Sequence, residues 1–520
     1  MHEVITLQFG QQANYIGTHY WNTQESYFTY SGEEESPVNH DISFRAGIGA
    51  NGEDTYTPRT LIYDLKGAFG TLRRENALYE LQQQEQATQR GGWSGATIPL
   101  QLSPIAPSGY QQALEQGTPP PRLTTDTVRF WSDYNHVFYH PRSIVQLHEY
   151  ELSSTLMPFE RWETGEDLFA SLDREHDLLD RDLRLFLEEC DQLQGVQVLT
   201  GIDDAWGGFA AKYLERLSDD LGKGCRWVFG LQDGKRVSRQ KEMLRIANTA
   251  QSMQALNGAA SMHAPLTSFP APLPSYLSMM DAESRWHTSA LQVALIESVT
   301  LPTRLRQQES GRATFDQMET TLSNEGNRRI AAAGLSVSEV TDPAVQANGN
   351  HDSRMLNGHT NGGMQDAPED TGPKCDIDFF PALTATVTGS RASGRRVHTF
   401  SNLTALRGPA EPTDDADSMA SLLRDRMGEG PRTATYRSDL LFPALSSYPP
   451  IFHLPSNPNK FAVNVMLATN TGMADRIRAI ESVARRSVGL GEREALCDGL
   501  VTMAEEYEEG WSDGEEYGED

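Results

Sequence analysis

The residues that could do chemistry in this 520-residue sequence are spaced in ways that exclude more than they offer. Its four cysteines, Cys190, Cys225, Cys375 and Cys497, stand far apart. No C-x-x-C pair exists for a metal or for redox exchange, and scattered thiols fit a reducing compartment without disulfides. His148, Glu149 and Glu151 are neighbours but form no ligand triad; a polar helix face accounts for them. GKGC (222–225) and DGKR (233–236) lack the spacing of a phosphate-binding Walker loop, and neither H-E-x-x-H nor G-x-S-x-G occurs. NLT (402–404) is a glycan acceptor only in a secreted chain. What remains is a set of residues at the ends of apolar runs. Gly10 ends the first run. Asp64 ends another, at the carboxyl end where sheet folds bind ligands.

The elements that must position these residues alternate. Val4, Ile5, Leu7 and Phe9 predict a strand, followed by a helix carrying Ile16, Tyr20 and Trp21. TLIYDL (60–65), VQVLTG (196–201) and RWVFGL (226–231) predict further strands. One helical stripe runs through Leu168, Leu172, Leu179, Leu183, Phe186 and Cys190, and another through Phe209, Tyr213, Leu214 and Leu217. Short apolar strands alternating with amphipathic helices imply an α/β fold with a parallel, Rossmann-like sheet flanked by helices. Residues 31–55 read as a loop, and 84–125 as a Gln-, Gly- and Pro-rich insertion with little core.

The expected organisation is a first domain over 1–260 and a second, α+β domain over 261–342 and 375–470. Between the two parts of the latter lies 343–374, too poor in bulky apolar residues to offset ordering entropy and expected to be disordered. Two C-terminal helices over 471–508 and an acidic tail over 509–520 complete the chain.

The formal net charge of −28 and pI near 4.9 argue against nucleic-acid binding, which needs a basic face, and against simple docking on anionic lipid. MHEVITLQFG has neither the basic region nor the long apolar stretch of a signal peptide, and the first arginine is Arg45, so it makes a poor mitochondrial presequence. The apolar stretches are shorter than the roughly 20 residues a bilayer span needs. These features place the chain in the cytosol or on the outer face of an organelle.

Several segments resemble tubulin, in order. QFGQQANYIGTHYW (8–21) is similar to the tubulin opening, YTPRTLIYDL (56–65) to its Tyr-x-Pro-Arg segment, and DQLQGVQVLTG (191–201) to the strand before its glycine loop. ANTAQSMQAL (247–256) resembles the segment that reaches the guanine base, and ATNTGMADRIRAIESVARR (468–486) with DGLVTMAEEYEEG (498–510) the C-terminal helices. Together with WSDYNHVFYHPRSI (131–144) and WHTSALQVALIESVTLPTR (286–304), the chain resembles the Misato family, tubulin-like proteins of mitochondrial inheritance. The resemblance implies a tubulin-like body and a role in distributing mitochondria and their DNA. It also implies protein partners at the mitochondrial outer face or on the cytoskeleton. A self-assembling GTPase and a cytosolic adaptor of tubulin or its chaperonin are the rival readings.

The same resemblance assigns a guanine-nucleotide site in degenerate form. Gly10, Gln11, Gln12 and Asn14 stand where tubulins contact phosphate, although Gly10 and Asn14 serve a turn and helix entry equally well. Asp64 matches the acidic end of the second strand and Asn248 the base-reading asparagine; the alternatives are a cap and a solvated helix residue. Where tubulins carry a run of glycines, this chain reads Asp203-Asp204-Ala205-Trp206-Gly207-Gly208. Only Gly207 and Gly208 suit close backbone approach, and the two aspartates place negative charge where phosphate would lie. RWETG (161–165) keeps only Trp162 and Gly165 of another phosphate-facing loop, and no segment between 257 and 300 resembles the loop that completes a neighbour's catalytic site. The implied protein is not an enzyme. It has no catalytic or metal site and no certain cofactor, and binds GTP or GDP weakly at most.

Overall fold

The structure, a computed structural model, describes residues 2–29, 35–48, 54–72, 105–222, 224–306, 309, 311–323, 328–339, 375–381, 383, 397–409, 431–456 and 458–508. The expected disordered insert at 343–374 and the tail at 509–520 lie outside the described residues.

Two sheets organise the chain. The first contains β1 (Glu3–Phe9), β4 (Thr60–Lys66), β5 (Ile144–Glu151), β6 (Leu193–Gly201), β7 (Cys225–Gln232) and β8 (Met262–Thr267). Their order is β5-β4-β1-β6-β7-β8, and every pairing is parallel. The order reverses on either side of β1, so the carboxyl ends of β1, β4 and β6 form the crevice where such sheets hold ligands. Because β8 completes this sheet, the domain division expected at 260 falls one strand short of its edge.

Helices cover both faces, as a parallel sheet requires. On one side α1 (Gln11–Glu25) packs against α5 (Arg285–Thr300). On the other lie α2 (Trp162–His176), α3 (Ala205–Leu221) and α4 (Arg239–Ala259). The α2–α3 crossing is close because both helices present glycine. A Cβ on Gly165 would collide with the Ala205 carbonyl, and one on Gly208 with the Trp162 carbonyl. The stripe expected to run unbroken from Leu168 to Cys190 is interrupted. α2 ends at Asp177, in left-handed conformation (φ 46°), and a π-helical turn, Leu179–Leu183, precedes the short helix Arg184–Glu188. Leu168, Leu172, Leu179, Leu183 and Phe186 are nonetheless all buried.

The second sheet is mixed. β9 (Ala332–Ser338), β10 (Ile377–Asp378), β11 (Thr399–Arg407), β12 (Arg432–Ser438) and β14 (Lys460–Asn470) run in the order β10-β9-β14-β11-β12, and β13 (Phe442–Pro443) pairs with β14. α5 joins the two sheets, and one apolar core extends from Trp227 and Leu266 through Leu291 and Leu295 to Leu403 and Val465. Inside it the fully buried Glu297 takes ion pairs from Arg304 and Arg407, which keeps those charges compensated away from water. The C-terminal helices α6 (Gly472–Ser487) and α7 (Leu490–Glu505) pack on α4.

Three further sequence expectations are corrected. Residues 31–55 are not all loop: β2 (Phe44–Ile48) pairs with β3 (Asp54–Pro58). The described part of 84–125 carries core, through a helix over Gly109–Glu115 with buried Tyr110, and through buried Leu123. His148, Glu149 and Glu151 lie on β5, the edge strand, and not on a helix; partial exposure of that edge produces their polarity. Among the described residues no helix is long and apolar enough to cross a membrane.

Candidate functional site

A cleft of 280 Å³ opens at the carboxyl ends of β1, β4, β6 and β7. β1 is followed by Gly10, whose φ of 87° only glycine adopts readily, and the chain turns directly into α1. β4 delivers Asp64. β6 delivers Asp203 and Asp204 at the start of α3.

Asp64 is fully buried. Its Oδ2 accepts hydrogen bonds from Gln11 Nε2 and Asn14 Nδ2, both at 2.6 Å, and its Oδ1 accepts the Leu65 N–H at 2.8 Å. Burial raises its pKa to about 7, against the lowering effect of those three donors. Gln12 also borders the cleft, and its Nε2 donates to Gln292 Oε1 at 2.8 Å. Gln11, Asn14 and Asp64 are therefore brought together, chiefly to one another.

The turn after β6 is closed by its own side chains. Asp204 is the N-cap of α3, and its Oδ1 accepts the Trp206 N–H at 2.9 Å. A helix N-terminus in this position holds a ligand anion in phosphate-binding folds; here the chain's own carboxylate takes the slot. The Trp206 indole then lies on Gly10, so that a Cβ there would collide with the ring. The indole is 5 % exposed and packs edge-on to Phe159 and Phe209, at centroid distances of 5.2 and 5.7 Å. Asp203 accepts the Asp233 N–H at 2.8 Å and lies 3.9 Å from Arg245 Nε. Desolvation raises the pKa of both aspartates, and for Asp204 the charge of Asp203 adds to the effect.

The other expected contacts are corrected by the geometry. Gly207 faces Ser252 and Ile202, and Gly208 faces α2; both glycines admit protein and not phosphate. Asn248 is buried and does not border the cleft. Its Nδ2 donates to the Glu160 carbonyl at 2.7 Å and to the Asp203 carbonyl at 2.9 Å, while its Oδ1 accepts the Trp162 N–H at 3.1 Å. It clips three segments to one another and has no donor left for a base.

Sequence reasoning missed Asp233, Lys241, Arg245 and Arg285, which also border the cleft. Asp233 follows the end of β7 and was open to the strand-end rule that found Asp64. The three cations sit on or beside helices far away in sequence, without a local signal. Among the described residues no group of three or more His, Cys, Asp or Glu could hold a metal ion.

Residues 2–116 match the family model described as the Misato Segment II tubulin-like domain, and residues 120–305 match a Tubulin domain model. Protein DML1 of Phaeosphaeria nodorum is 45% identical over 530 residues, which cover 100% of both chains. Protein dml-1 of Neurospora crassa is 46% identical over 546 residues, again 100% of both. Protein dml1 of Schizosaccharomyces pombe is 32% identical over 346 residues, covering 63% of this chain and 70% of that one. None of these names denotes an enzyme. With relatives of that identity along its whole length, on a parallel sheet whose crevice is built as described, this chain belongs to the Misato/DML1 family of tubulin-like proteins.

Proposed function

We propose that this protein is a non-catalytic tubulin-like scaffold in the partitioning and inheritance of mitochondria and their DNA, and in mitochondrial morphology. One observation carries the non-catalytic part: Trp206 lies on Gly10 while Asp204 fills the anion slot of α3. Phosphoryl transfer depends on positioning and on stabilising charge around the phosphate. Here the phosphate position is taken by an indole and a carboxylate, and both would have to leave before any nucleotide could be gripped.

The organelle rests on the family. The net charge of −28 favours attachment through a protein partner over attachment to anionic lipid. The protein then sits peripherally on the cytosolic face of mitochondria and in the cytoplasm. Carbonate extraction releases it from the membrane fraction, and protease added to intact mitochondria digests it. Protection until the outer membrane is ruptured would sink the placement. Phosphate release from GTP by the pure protein, abolished by Gly10→Arg, would sink the non-catalytic reading.

A further inference from the structure

The cleft has the wrong charge for the ligand its position suggests. Its border presents six carboxylates, Asp64, Glu151, Glu160, Asp203, Asp204 and Asp233. Three cations oppose them, and two of these are already engaged. Lys241 Nζ lies 3.1 Å from Glu160, and Arg245 Nη2 lies 2.7 Å from Asp233. Glu151 is exposed at the mouth and has no ion pair among the described residues. Burial raises the pKa of Asp64, Asp203 and Asp204 and so lessens the charge they carry; a cation entering here meets the exposed Glu151 and draws the buried carboxylates toward their ionised form, whereas a phosphate does the opposite.

The rim adds a second, independent feature. Residues on both sides of the 155–157 turn, among them Leu152, Ser154, Pro158 and Phe159, border the cleft. The tip between them carries Leu156, 92 % exposed, and Met157, 54 % exposed. Two large apolar side chains held in water beside a charged cavity are the arrangement of a protein interface, with a desolvated anchor next to a polar pocket.

We propose that this cleft docks a basic segment of a protein partner, with a lysine or arginine entering beside Glu151 and Asp204 and a neighbouring apolar side chain covering Leu156 and Met157. The proposal rests on the reading that the cleft holds no nucleotide. It commits to a peptide because the apolar tip gives a small inorganic cation nothing to recognise. Steering by the acidic cleft makes association fast and salt-sensitive, and the apolar tip sets how long the complex lasts.

The test uses full-length protein and a fluorescein-labelled peptide of lysine, leucine and glycine, followed by fluorescence anisotropy. The expected result is saturable, one-to-one binding that weakens with salt and vanishes when the peptide's lysines are acetylated. Glu151→Lys weakens it by roughly tenfold, a typical loss for removing a steering charge and adding a repulsive one. Leu156→Ser weakens it several-fold through faster dissociation. Both positions are exposed, so neither change threatens folding. Asp219→Lys, an exposed change of equal charge on α3, leaves binding unaltered. Absence of saturable binding overturns the proposal, and so does equal weakening by Asp219→Lys and Glu151→Lys, which would show attraction to net charge alone. Displacement of the peptide by millimolar GTP would place the peptide in the cleft but defeat the nucleotide-free reading. Failure to bind by protein shown to be free of nucleotide would defeat the docking proposal alone.

Discussion

The indole of Trp206 rests on the backbone of Gly10, bringing the first residue after β1 against the second residue of α3. In a phosphate-binding crevice these two turns stand apart with a ligand between them. Here they touch, and Asp204 completes the closure by capping α3 with its own carboxylate. The cleft is self-liganded, and each consequence of that can be measured.

Trp206 is first of all a core residue. Trp206→Ala removes a ring packed on Phe159 and Phe209 and should cost about 3 kcal/mol in urea unfolding. The single change should not create nucleotide binding, because Asp204 still occupies the helix end. Asp204→Gly alone should cost only a few tenths of a kcal/mol, since glycine is a tolerable N-cap. Only the double variant should gain magnesium-dependent binding of a fluorescent GTP analogue. Binding by either single variant to the same extent would show that only one of the two side chains blocks the site.

Gly208 separates a packing role from a phosphate role by sign. Alanine in place of glycine inside a helix ordinarily stabilises by about 0.5–1 kcal/mol. At Gly208, and at its counterpart Gly165, the added methyl meets backbone carbonyl oxygens across the α2–α3 crossing. Gly208→Ala should therefore lower stability, by about 1–3 kcal/mol. A gain in thermal stability would place this glycine outside the crossing.

Asn248 should behave as a structural clip. Asn248→Ala leaves the Trp162 N–H and the Glu160 and Asp203 carbonyls without their partner in a buried setting. The expected loss is about 1–3 kcal/mol, the desolvation penalty of stranded polar groups. Guanine nucleotide at millimolar concentration should not protect the wild type and the variant differently in a melting experiment. Strong protection of the wild type alone would restore Asn248 as a base contact.

Asp64 gives a pH signature. Its folded pKa, raised by burial to about 7, lies above that of an exposed aspartate. The folded state therefore holds the proton more tightly than the unfolded chain, and this group's contribution falls as pH rises from about 4 to about 7, levelling off above. Asp64→Asn removes the titration, and Asn14, whose Oδ1 is buried without a partner, can turn its amide to accept from the new side chain. The stability difference between variant and wild type should shift in the variant's favour between pH 5 and pH 8. A difference independent of pH would show that Asp64 titrates normally.

Much of the sheet was legible because apolar runs stop at or within two residues of the strand ends, as at Gly10 after β1 and at Asp64, two residues before the end of β4. The edge strand β5 was not, because partial exposure lets it carry His148 and Glu149 among its apolar residues. β2 was hidden by the arginine and glycine in FRAGI. At the site, the aspartates after β6 were read as hostile to phosphate, and their use as a cap and as a partner of Arg245 depends on atoms that sequence does not place. Gly207 and Gly208 were misread because a glycine that admits a neighbouring helix is written with the same letter as one that admits a phosphate. Asn248 was misread because its three partners come from segments 45 to 88 residues away.

The most direct test of the self-liganded cleft is the nucleotide content of the purified full-length protein. The protein is isolated in magnesium without denaturation and then acid-precipitated, and the supernatant is resolved by ion-pair chromatography against GDP and GTP standards. The closed contact between Trp206 and Gly10 predicts far less than one guanine nucleotide per chain, unchanged after incubation with excess GTP and desalting. Recovery of GDP or GTP in one-to-one ratio with the chain would mean that the indole and the Asp204 carboxylate do not occupy the phosphate position.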